Sequence, residues 1–179
     1  MDARKCERGA VAAFPAAMRE QLSRSLTPGE IALARSVFGD AIDYERVRMV
    51  HGKWWPFQPR RSAMAPMGNI YFHPDGGGWS EDFSFQPLHA QGFFIHEMTH
   101  VWQAQRGGRF FLPLARHPFC KYRYELVPGR PFSRYGLEQQ AEIVRHAFLL
   151  SKGATPEGAP TLGELRGILP WQQDANMSS

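Results

Sequence analysis

The sequence predicts an α+β fold in a single domain, and three observations carry that expectation. A chain of 179 residues is within the range of one domain and long enough to bury a sizeable core. Two segments, 91–105 and 137–152, carry helical features, whereas two short runs, 46–50 and 70–73, suit strands. The 17 glycines and 14 prolines exceed ordinary usage and call for many turns between short elements. The expected architecture is a small, mostly antiparallel sheet packed beside the first of these helices, with the second helix close by.

Residues 1–25 read as a variable N-terminal arm with an alanine-rich patch, 26–155 as the domain, and 156–179 as a C-terminal tail. The first firm helix starts at Thr27-Pro28-Gly29-Glu30. Thr27 can cap, Pro28 suits the first helical position, and Glu30 completes a capping box. This helix should run to Phe38 and stop at Gly39. Arg46 to Val50 follows as a half-buried strand, and Lys53 to Arg61 is a loop by its prolines. Ile70 to His73 is a second strand, placed as a sheet edge along a cleft, and ends at Pro74-Asp75-Gly76. In the helix from Leu137, the residues Leu137, Ala141, Val144 and Phe148 share one arc and should face inward. Gly153 is a natural stop, and a short helix can begin at Thr161-Leu162-Gly163-Glu164.

Composition narrows the function classes. Hydrophobic residues make up 43% and charged residues 21%, which excludes a disordered or fibrous chain. The net charge of +4 is mild and contains no dense basic run, so no clear nucleic-acid module is expected. Cys6 and Cys120 cannot build a disulfide framework. No run approaches the ~20 apolar residues of a membrane span, and 10–18 is too short and flanked wrongly for a secretory signal. The expectation is a cytoplasmic protein, or one exported without a cleaved signal peptide.

The chemistry is concentrated in His96-Glu97-Met98-Thr99-His100. Histidines four apart on a helix share a face and can reach one metal ion, with the intervening glutamate close enough to act as a general base. The flanking Phe93-Phe94-Ile95 and Val101-Trp102 are apolar, so the polar pentapeptide lies in or beside a core, where a metal would satisfy it. A catalytic zinc takes three protein ligands. The third is not supplied by extending the motif, because Gln103 and Arg106 stand where a longer zinc pattern has Gly and His. Glu138 and Glu142, one turn apart on the next helix, are candidates, as are His117 and His146. His51, His73 and His89 stand alone beside turns and read as surface or core residues. Tyr135 is either a packing residue or a group able to reach an oxyanion. The mixed basic and aromatic stretches 53–61 and 121–134 suit a cleft wall or a docking surface.

His96-Glu97-Met98-Thr99-His100 followed by Glu138-x-x-Ala141-Glu142 resembles the gluzincin pattern of zinc metallopeptidases. The resemblance implies a zincin-like fold, Zn2+ as cofactor, and His96, His100 and Glu138 as ligands. It also implies Glu97 as the base and Glu142 as the acid that orients a ligand histidine, although many gluzincins carry aspartate there. From Leu26 to Lys152 the chain also resembles small bacterial Vgr-related proteins, through His51-Gly52-Lys53-Trp54-Trp55-Pro56-Phe57-Gln58-Pro59 and His117-Pro118-Phe119-Cys120-Lys121-Tyr122-Arg123-Tyr124. Those are akin to metallopeptidase-like domains encoded with contractile injection and type VI secretion systems. The implied function is hydrolysis of peptide or related amide bonds in a peptide or protein substrate. The alternative is a metal-stabilised binding or assembly module of a secretion system.

Overall fold

The computed structural model describes residues 23–60, 63–107 and 122–171. Among these residues, four helices accompany a small sheet: α1 Pro28–Phe38, α2 Leu88–Gly107, α3 Leu137–Ser151 and α4 Leu162–Ile168. The strands are β1 Ser23–Ser25, β2 Arg48–His51, β3 Ala63–Met64 and β4 Ile70–Phe72. The α+β expectation holds.

The sheet order is β1-β2-β4-β3. Its outer pairs, β1–β2 and β3–β4, are antiparallel, and β2–β4 is parallel. One expectation is corrected here. β4, read as an edge along the cleft, lies inside the sheet, and the edges are β1 and β3. Ile70 and Phe72 are buried, as a central strand requires. The edge strand β3 has two residues, too few for alternation to reveal it.

α1 starts as its capping box predicts: Thr27 Oγ1 accepts from Glu30 N, and Glu30 Oε2 accepts from Thr27 N. Glu30 does more than cap. Its buried carboxylate also takes two hydrogen bonds from Arg24 of β1, at 2.7 and 2.8 Å, and one from Phe83 N at 3.0 Å. A fully buried charge is tolerated because both oxygens are satisfied. The node ties β1 and α1 to the turn at Phe83–Phe85.

α2 is the central element, buried without interruption from Phe94 to Ala104. A helix covered on all sides belongs in the core. A column of rings seats it on the sheet: Phe72 of β4 stacks on Phe83 at 5.6 Å, and Phe83 on Phe94 of α2 at 5.4 Å. α3 packs most extensively against α2. Gly92 permits the close approach, since a Cβ there would stand 3.0 Å from Leu149 Cδ2. On α3, Ala141, Val144 and Phe148 are buried as their spacing predicts, while Leu137 is half-buried. The short helix expected at Thr161 is present, capped by Thr161 and Glu164. It buries Leu165 against the core.

Candidate metal centre

α2 begins at Leu88, three residues before the predicted start, because Ala90 N and Gln91 N already bond to Pro87 O. Gln91 Nε2 also donates to the carbonyls of Ser84 and Gln86 and holds the entering chain. With that start fixed, one turn of helix stacks His96 above His100 on the face toward α3. Glu138 stands in the first turn of α3, where the positive end of the helix dipole favours a carboxylate.

The three side chains converge. His96 Nε2 and His100 Nε2 are 3.3 Å apart, and each is 3.2 Å from Glu138 Oε2. All three residues are buried. Among the described residues they form the one group of His, Cys, Asp and Glu side chains arranged to hold a metal ion. Of the alternatives left open by spacing, His146 turns elsewhere, with Nδ1 bonded to Tyr124 OH at 2.7 Å. His117 lies outside the described residues, as do 1–22, Arg61 and both cysteines.

The donor set fits a divalent cation of zinc type. His96 Nδ1 is 2.9 Å from Glu142 Oε1, and an ionised carboxylate only accepts, so Nδ1 donates, and when the ring is neutral the lone pair is on Nε2. That lone pair points at a carboxylate oxygen and a second imidazole, an arrangement that asks for a positive charge between them. Glu97 supports the fit. It is buried, and its Oε2 meets no hydrogen-bond partner among the described residues. Leaving such an oxygen unsatisfied costs about 1–3 kcal/mol or more, a cost that a bound water on a metal would remove.

Electrostatics show the same demand for positive charge. Burial disfavours a His96 imidazolium, yet the bonds to Glu138 and Glu142 and the charge of Glu97 outweigh it and push the pKa up to about 9. Glu142 is opposed by burial, but His96, Arg145 and His146 hold its carboxyl below the usual range. Glu142 Oε2 also accepts from Arg145 at 3.0 Å, so it serves the surface pair and the histidine together. Burial lowers the His146 pKa, with Arg145 adding to the effect against the pull of Glu142.

Other residues take structural places. Tyr135 is buried, and its hydroxyl accepts from Val127 N at 3.0 Å, which fixes the preceding loop. His73 is buried, with Nδ1 accepting from Asp75 N. His51 stacks on Trp79, and His89 is exposed. Two neighbours of the centre escaped sequence reasoning. The Tyr122 ring lies over His96 with centroids 6.2 Å apart, and Gln103 Oε1 is 2.8 Å from His100 Nδ1. Gln103 stands three residues after His100 and so on its face, which is the signal that could have found it. A cleft of about 810 Å³ opens beside Glu142, bordered by Tyr122, Tyr124, Arg130 and His146. The basic and aromatic stretch after 121 thus forms a cleft wall.

No family model matches the sequence. Over 135 residues the chain is 44% identical to the type VI secretion system spike protein VgrG2b of Pseudomonas aeruginosa, a match covering 72% of this chain and 13% of that protein. The solved effector domain of Pseudomonas aeruginosa VgrG2b superposes with a TM-score of 0.65 at 38% identity, covering 80% of each chain. Among the described residues, no helix is long and apolar enough to cross a membrane.

Proposed function

The chain belongs to the family of the VgrG2b effector domain, and from that premise we propose that it is a type VI secretion effector domain that hydrolyses peptide or related amide bonds with zinc. The observation that carries the reading is the convergence of His96 Nε2, His100 Nε2 and Glu138 Oε2 within 3.3 Å of one another, with Glu97 buried alongside.

In this reading His96, His100 and Glu138 hold the ion, and Glu142 keeps His96 in the tautomer that presents Nε2. Bound there, zinc supplies a Lewis acid for the scissile carbonyl and for the attacking water. Glu97 takes the proton of that water and passes it to the leaving amine. The cleft beside Glu142, with Tyr122 and Tyr124 on its wall, receives the substrate chain.

The experiment is Glu97→Gln, measured for zinc content and for hydrolysis of unbiased peptide libraries. Zinc should be retained, because Glu97 is not a ligand, and hydrolysis should fall at least 100-fold, as loss of a general base does. A second reading draws on the relative's being a spike protein: the domain is a metal-stabilised binding module of the secretion apparatus. Under it, wild type and Glu97→Gln are equally inactive and bind a spike partner equally well.

A further inference from the structure

We propose that Gln103 is a positioning residue that fixes the tautomer of His100 through a relay of side-chain amides anchored on α3. The inference rests on the metal reading for its purpose, although its geometry does not.

His100 Nδ1 is 2.8 Å from Gln103 Oε1. Which atom of an amide faces a partner is decided by its other bonds. Gln103 Nε2 donates to Leu137 O and to Gln140 Oε1, each at 3.0 Å. Gln140 Nε2 in turn donates to Tyr135 O at 2.7 Å. The two backbone carbonyls only accept and cannot turn around, so they set the direction of the whole chain. Reversing Gln103 would bring its oxygen against Leu137 O and Gln140 Oε1. Reversing both amides would still leave Gln140 Oε1 facing Tyr135 O. Gln103 and Gln140 are both buried, where acceptor-to-acceptor contacts go uncompensated by water.

The amide oxygen of Gln103 therefore faces His100, and Nδ1 must be the protonated nitrogen. Nε2 is left to offer its lone pair toward His96 and Glu138. His96 obtains the same tautomer from a charged acceptor, Glu142, whereas His100 obtains it from a neutral one. The neutral choice adds no further negative charge to a buried site that already holds Glu97, Glu138 and Glu142. The relay also ends on Leu137, the residue before Glu138, so it locks the α2 ligands and the α3 ligand into one register.

The test uses the full chain. In metal-free wild type at mildly alkaline pH, long-range 1H–15N correlation spectra of the imidazoles should show His100 as the Nδ1–H tautomer. Gln103→Met preserves volume but removes the acceptor. It should mix the tautomers and weaken zinc binding, read by chelator competition, roughly 10- to 100-fold. Gln103→Glu keeps an oxygen facing Nδ1 but has no N–H for Leu137 O and Gln140 Oε1, so its informative readout is the tautomer: His100 should stay Nδ1–H in Gln103→Glu and become mixed in Gln103→Met. A purely packing role predicts no difference in tautomer between the two variants. If Gln103→Met does not fold, Gln140→Met tests the relay one step further out, with a smaller loss expected. An Nε2–H tautomer in the wild type, or wild-type zinc affinity in Gln103→Met, overturns the proposal. If the wild type takes up no zinc, the metal reading falls, and the wild-type tautomer alone then decides the role of Gln103.

Discussion

Nδ1 of His96 lies 2.9 Å from Oε1 of Glu142, and this contact separates the duties of two glutamates that stand one turn apart on α3. Glu142 meets the nitrogen that points away from the convergence point, while Glu138 meets the nitrogen that points into it. One carboxylate can orient the ring, and the other can share an ion with it.

That division predicts unequal losses. Glu138→Ala removes one of three ligands and should weaken zinc binding far more than Glu142→Ala. The Glu142 variant should lose roughly 10- to 100-fold in affinity, as groups behind a ligand do. Chelator competition on both variants checks this, and equal losses would mean that both carboxylates act on the ion.

Zinc binding should release protons. In the metal-free protein the His96 pKa is pushed up to about 9, so the ring is charged at neutral pH and must be neutral to bind metal. Zinc affinity should therefore rise with pH up to about 9 and level off above it. Calorimetry in buffers of different ionisation enthalpy counts the protons. The same shift raises the folded pKa above the unfolded value of about 6.5. The stability it contributes is full below that value and is lost as pH rises through about 9. Metal-free protein should accordingly lose stability across that window, and zinc-loaded protein should not.

Glu30→Ala should destabilise the fold without touching the centre. It leaves Arg24 without its buried partner and frees Thr27 N and Phe83 N. Breaking such a pair costs about 3 kcal/mol or somewhat more, to be read from urea unfolding. Zinc affinity of the folded fraction should be unchanged.

Legibility from sequence followed the range of each interaction. His96, Glu97 and His100 lie within one helical turn, and the Thr27–Glu30 box is equally local, so spacing alone exposed them. Choosing Glu138 over Glu142 required a resemblance, because both carboxylates share a face and only the packing of α3 on α2 separates them. β4 was found as a strand but misplaced as an edge, since its outer neighbour is the two-residue Ala63–Met64. Gln103 stayed hidden because its role depends on Leu137 O and Gln140, more than 30 residues away. The Arg24–Glu30 pair is not legible because Arg24 is placed by the pairing of the three-residue β1 with β2, a contact with no local pattern.

The most direct measurement is anomalous diffraction at the zinc absorption edge from crystals grown with zinc. The account predicts one buried peak bound by His96 Nε2, His100 Nε2 and a Glu138 carboxylate oxygen, at about 2.0–2.2 Å each. No peak between these three side chains, or a peak there whose third protein ligand is Glu142 or His146, would contradict it.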